Sequence, residues 1–307
     1  YTTLFRSESL KKQDVSDELL ERVKVFRKQY PLDESLGYRV AKPQYTYYGK
    51  NIWEMAITAV LMGNNILLSG PKATGKNVLA DNLSLLFNRP QYNMSFNVNT
   101  DSSSLIGTDT FIDNEVKLRR GPVYLCAVNG GFGVFDEVNM AKNDAVSVLH
   151  SALDHRRFID VPGYDKIDLN DATRFIGTMN YGYAGTKELN EALVSRFQVI
   201  DMPAVDDETL MKILRDAAPE AKQDALEKFC GLFLDLQKKA FNGEITTKSV
   251  DLRGMIESIK AVKIGLDPIL ALRMGILNKS FDIFEREIVD DVIVTRIPKN
   301  WTPADIF

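Results

Sequence analysis

The residues Gly70-Pro71-Lys72-Ala73-Thr74-Gly75-Lys76-Asn77 follow directly on the apolar run Ile66-Leu67-Leu68. Such a run suits a short buried strand. Beyond the loop, Leu79, Leu83 and Leu86 recur at helical spacing, so the pattern predicts strand, tight loop, helix. In that arrangement small residues let backbone N–H groups converge on an anion, the helix offers its positive end, and Lys76 reaches the outer phosphates of a nucleotide. Asn77 stands where a Ser or Thr hydroxyl usually holds Mg²⁺. An ordinary Gly-containing strand-to-helix turn could carry the same letters, so the rest of the chain must decide.

From Gly49 to Pro203 helical patterns alternate with strand-like runs at Asn65–Ser69, Tyr92–Asn97, Phe132–Phe135, Phe175–Thr178 and Gln198–Met202. That alternation predicts an α/β fold with a mostly parallel sheet covered by helices on both faces. Residues 1–48 are largely polar, with one helix expected from Ser16 to about Tyr30 that presents Leu19, Leu20, Val23 and Phe26 on one face and ends at Pro31. Past Pro203 the strands stop. Leu226, Phe229, Cys230 and Phe233 recur at helical spacing, Asn242-Gly243 marks a stop, and a further helix is expected from about Ser249. Three regions are therefore expected: 1–48, 49–203 and 204–307.

At 307 residues with 45% hydrophobic and 26% charged content, the chain can bury a sizeable core. A net charge of −4 weighs against a protein that coats nucleic acid or an anionic membrane. No apolar stretch reaches spanning length and no secretory signal is visible, although the chain opens on Tyr1 rather than Met. Cys126 and Cys230 lie in apolar surroundings and read as reduced core thiols, which favours the cytoplasm. With two histidines, a His/Cys zinc cluster is not expected.

Phe132-Gly133-Val134-Phe135-Asp136-Glu137 is an apolar strand that ends in two acids. Ligands collect at the carboxyl ends of parallel strands, which would bring this pair to the phosphate loop. Asp136 is then placed to hold Mg²⁺, directly or through water, and Glu137 to orient and polarise an attacking water. Alternatively, both could be solvated acids beginning a helix that contains Val146, Leu149 and Leu153. Phe175-Ile176-Gly177-Thr178-Met179-Asn180 is another strand with a polar tip. Asn180 could bond the γ-phosphate or the lytic water, and turn chemistry in Asn180-Tyr181-Gly182 would also favour it.

Phosphate loop, Asp-Glu strand, Asn-tipped strand and Leu193-Val194-Ser195-Arg196-Phe197 follow in the order seen in AAA+ ATPases, and more narrowly resemble the MoxR group and its dynein-related relatives. Leu105–Leu118, leading into Arg119-Arg120-Gly121-Pro122, resembles the insertion in the second helix of that clade (about 105–120). Arg157–Val161 and Lys166–Leu169, flanking Pro162-Gly163, resemble its hairpin before the sensor strand (about 156–169). The resemblance implies a P-loop NTPase αβα sandwich followed by an all-α lid. ATP would sit between core and lid, contacting Gly70 to Asn77 and Val78, with Asn77 and Asp136 on Mg²⁺ and Tyr48-Gly49 near the adenine. Glu137 and Asn180 would be joined by Arg196 as the arginine finger of the neighbouring subunit and by Arg253 as the second sensor. Asn77, Ala73 and Met140 depart from the family pattern. Slow turnover and weakened metal binding are expected from Asn77.

The function implied is an ATP-hydrolysing homo-oligomeric ring, a hexamer, that remodels or activates a client protein, with Phe111 and Tyr164 as client contacts and a von Willebrand factor A domain protein as partner. Two other readings stand beside it. One is a nucleotide-gated scaffold with little hydrolysis. The other is a nucleic-acid-linked motor, which the acidic balance disfavours.

Overall fold

A computed structural model of the chain describes residues 8–161, 163–181 and 189–307. Expectations that fall on residues 1–7, Pro162 and Gly182 lie outside the described residues. The chain forms two compact units, one comprising residues 1–70 and 75–202, the other 71–74 and 203–307.

The first unit is built on strands β1 (Ile66–Gly70), β2 (Gln91–Ser95), β5 (Phe132–Asp136), β8 (Arg174–Asn180) and β9 (Gln198–Asp201), between which two hairpins are inserted: β3 (Gly107–Ile112) with β4 (Glu115–Arg120), and β6 (Phe158–Ile159) with β7 (Ile167–Asp168). The five form one sheet in the order β2-β5-β8-β1-β9, and every pairing in it is parallel. Successive side chains on a strand face opposite ways, and the core divides accordingly. Ile66, Leu68, Phe132, Val134 and Ile176 join one buried cluster, whereas Leu67, Phe135 and Phe175 join the other. The runs expected to be strands are strands, with ends shifted by one or two residues.

Helix α1 (Asp17–Gln29) carries acids in its first turn and bases in its last, and buries Leu20, Val23 and Phe26. This arrangement suits the helix dipole while one apolar stripe reaches the core. That stripe packs with α2 (Lys50–Leu61) and α3 (Lys76–Phe87). Phe26 meets Phe87 edge-on at 5.1 Å between ring centres. Two buried arginines tie the same region together through carbonyl oxygens. Arg89 donates to Tyr30 O and Gly130 O at 2.7 Å each, and Arg174 donates to Val60 O at 2.9 Å and Asp171 O at 2.6 Å. Burial pushes the Arg174 guanidinium down to about 10.

The helix expected to contain Val146, Leu149 and Leu153 is two short ones, α6 (Asn143–Ser147) and α7 (His150–Leu153), in a series where α4 is Ser102–Ile106 and α5 Pro122–Val128. The break leaves all three apolar residues buried. Both insertions are antiparallel hairpins. The Tyr164 hydroxyl, in the turn of the second, donates to Asp109 Oδ1 on β3 at 2.6 Å, which links the two.

The second unit is helical from Asp207 to Ile306 among the described residues. Its longest helix, Gln223–Phe241, ends at Asn242, with Gly243 at φ +77° where the expected stop lies. The helix expected from about Ser249 starts at Leu252, because the Asp251 carboxylate caps it. Two ion pairs, Arg273–Asp290 and Arg296–Asp235, join neighbouring helices of the unit. No described helix is long and apolar enough to cross a membrane.

Candidate functional site

Strand register assembles the motifs. Gly70, the last residue of β1, pairs with Asn180, the last residue of β8. Phe135, one residue before the end of β5, pairs with Gly177 of β8. Because β8 lies between β1 and β5, the phosphate loop, the two acids and Asn180 leave the sheet at the same edge. In a parallel sheet that edge is where ligands bind.

The loop leaves little freedom in its backbone. A Cβ at Gly70 would stand 2.5 Å from the Met202 carbonyl oxygen, so only glycine passes there. Gly75 adopts φ +83°, with the Tyr47 ring 3.2 Å from where a Cβ would lie. Ala73, at φ +62°, occupies left-handed space that costs a non-glycine residue roughly 1–2 kcal/mol. The Thr74 hydroxyl donates to Pro71 O at 3.2 Å. Lys76 opens α3 and its ammonium donates back to Gly70 O at 2.9 Å. Burial pushes this lysine down to about 8, while Asp136 and Glu137 pull it upward. A bound polyanion would raise it again.

Asp136 is the centre of a hydrogen-bond chain. Its Oδ1 accepts the Thr178 hydroxyl at 2.7 Å and the Asn77 side-chain amide at 3.1 Å. The Thr178 oxygen in turn accepts the Glu137 backbone N–H at 3.2 Å. Glu137 does not begin a regular helix. It adopts φ +54° and precedes a three-residue 3₁₀ turn, Val138–Met140, so its side chain turns away from the strand direction. Asn180 Nδ2 donates to Glu137 Oε1 at 3.3 Å, and Asn139 Nδ2 to the Asn180 carbonyl at 3.3 Å.

The donor set suits a hard divalent cation. Asn77 Oδ1 is shielded from solvent and has no hydrogen-bond partner, an expensive state for an amide oxygen. It belongs to the same side chain that touches the Asp136 carboxylate. Mg²⁺ takes such oxygens, one or two from protein, beside phosphate and water.

Other sequence-selected residues make contacts of their own. Within its own unit Arg196 donates to the Ala192 and His150 carbonyls and faces Asp154 at 3.6 Å. It thus answers the carbonyl end of helix α8 (Glu191–Val194). Arg253 belongs to the helical unit, where its N–H bonds Asp251. Gly49 caps α2 and donates its N–H to Gln13 Oε1 at 3.2 Å, while Gln13 Nε2 donates to Tyr47 O at 3.2 Å.

Two residues here escaped the sequence reading. Tyr47 packs on the phosphate loop at Gly75. Thr178 bonds both acids, and its position two before Asn180 on one strand puts it on the same face, a signal that period-two reading could have used.

A profile of the AAA domain, dynein-related subfamily, matches residues 65–197. The chain is 30% identical over 289 residues to the uncharacterized protein YojN of Bacillus subtilis, covering 92% of this chain and 93% of that one. An uncharacterized Staphylococcus saprophyticus protein is 28% identical over 269 residues, 85% of this chain and 100% of its own. Among solved structures, a RuvB variant from Thermotoga maritima overlays with a TM-score of 0.46 at 17% identity, covering 80% of this chain and 67% of that one.

Proposed function

Because this chain belongs to the AAA+ ATPase family through a dynein-related AAA domain, we propose that it binds ATP with Mg²⁺ and hydrolyses it within a homo-oligomeric ring to remodel a client protein. One observation carries the reading. Asp136, Glu137, Thr178 and Asn77 form a continuous hydrogen-bonded set at the sheet edge where the phosphate loop begins.

In this reading the loop N–H groups of Lys72 to Lys76 and the Lys76 ammonium hold the phosphates. Asn77 Oδ1 and Asp136 hold Mg²⁺, whose chemistry when bound is to neutralise phosphate charge. Glu137 orients and polarises the attacking water, and Asn180 fixes the Glu137 carboxylate at the γ-phosphate side. Arg196 of a neighbouring subunit stabilises transition-state charge. Arg253 acts as a second sensor. Tyr48 and Gly49 form the adenine side.

The finer assignment is to the MoxR group, a hexameric chaperone-like machine with a von Willebrand factor A domain partner. Its support is the order of motifs and the two hairpins at the expected places. Phe111 is 71% exposed on the first hairpin, as a client contact requires. The domain assignment proposed is an N-terminal segment to residue 48, an AAA+ core over 49–203 and a lid over 204–307.

Asn77 favours one second reading, the nucleotide-gated scaffold. Phosphate release from the wild type and from Glu137→Gln, at concentrations where the chain oligomerises, separates the two. Release that falls to background in the variant supports the ATPase. Equal, background-level release from both supports the scaffold.

A further inference from the structure

We infer that Asn77 lets this site hold a nucleoside triphosphate with little dependence on a divalent cation, its amide bridging Asp136 and a phosphate oxygen. The inference rests on the nucleotide-binding reading above. Its basis is donor arithmetic. A Ser or Thr hydroxyl has one proton, so it can donate to a carboxylate or to a phosphate, and two anions sharing one site then need a cation between them. A side-chain amide has two N–H donors on one nitrogen.

One of those donors is already on Asp136 Oδ1 at 3.1 Å. The opposite amide orientation would set two acceptors face to face, so the chemistry of the contact fixes which end points at the acid. The same carboxylate oxygen also accepts the Thr178 hydroxyl at 2.7 Å. Asp136 therefore has two donors from its own chain before any cation arrives. The second N–H of Asn77 can serve a phosphate oxygen, and the Lys76 ammonium, bonded to Gly70 O at 2.9 Å, supplies positive charge beside it. When a cation is present, the unpartnered Asn77 Oδ1 is its ligand. One side chain thus serves both states of the site.

The test is isothermal titration of the full chain with the non-hydrolysable analogue AMP-PNP, in excess Mg²⁺ and then in excess EDTA. For the wild type, chelation is expected to weaken Kd by less than about fivefold. Asn77→Thr, with one donor, and Asn77→Asp, with none, are each expected to lose about tenfold or more on chelation. A wild type that loses fivefold or more, or variants that tolerate EDTA as well as it does, overturn the inference and leave nucleotide binding intact. Absence of binding by the wild type in both buffers overturns the nucleotide reading itself. Thermal melts confirm that each variant folds, and the wild-type ratio decides alone if one does not.

Discussion

Thr178 donates its hydroxyl to Asp136 Oδ1 at 2.7 Å and accepts the Glu137 N–H at 3.2 Å. A single buried hydroxyl therefore fixes the Asp136 carboxylate and the backbone of the next residue, Glu137, which adopts φ +54°. A non-glycine residue in that region is strained, and the Thr178 bond helps to hold it there. Thr178→Val keeps the shape and deletes both bonds. The expected outcome is a kcat for ATP hydrolysis lowered by about tenfold with a smaller change in KM. Thr178→Ser should restore most of it, as steady-state phosphate release will show.

Lys76 gives the nucleotide site a pH dependence. Burial pushes it down to about 8 from an ordinary 10.5, against the opposing pull of Asp136 and Glu137. Between those values the folded chain binds fewer protons than the unfolded one. Apo stability therefore rises with pH across that window, and the penalty of burying the charge is complete below it. Nucleotide binding runs the other way, since phosphates need the ammonium. Affinity for ATP is expected to fall by about tenfold as pH rises from 7 to 9. Calorimetry at the two pH values checks this, and proton uptake near pH 9 should accompany binding.

Arg196 contacts Ala192, His150 and Asp154 within its own unit, and to act as the proposed finger it must exchange these partners for a neighbouring subunit's phosphate. Arg196→Ala and Glu137→Gln are each expected to abolish turnover while nucleotide still binds, because removing such an arginine costs roughly 10³-fold or more. An equimolar mixture should recover activity in about one site in four, where an intact Glu137 meets a neighbour's intact Arg196. A mixture as inactive as its components would place the arginine's action within its own chain.

Helix α1 is part of the core of its unit. Phe26 is 6% exposed and meets Phe87 edge-on. Phe26→Ala is expected to cost about 3–5 kcal/mol, read as a lower midpoint in urea with an unchanged slope.

Sequence pattern carried the sheet well. The Ile66-Leu67-Leu68 and Phe132–Phe135 runs are buried on both faces, and full burial writes itself as continuous apolar letters. Asp136, Glu137 and Asn180 were legible as a group because charged or amide letters stand out at the tips of apolar strands, and strand register brings those tips to one edge. What stayed hidden depends on long-range contact. Residues 1–48 read as a polar segment because only one stripe of α1 is apolar, and nothing local says what that stripe meets. Arg89 and Arg174 look like surface cations until their carbonyl partners, 41 and 114 residues away, are known. Tyr47 and Tyr48 are equivalent as letters, and only the fold decides that Tyr47 faces Gly75.

The central claim is that the loop at Lys76 and the acids at Asp136 and Glu137 serve one triphosphate. Titrating ATP into the wild type and into Lys76→Ala by calorimetry, in Mg²⁺, tests it most directly. The expected result is saturable heat from the wild type that the variant loses. Heat that is absent from the wild type, or unchanged in Lys76→Ala, would contradict it.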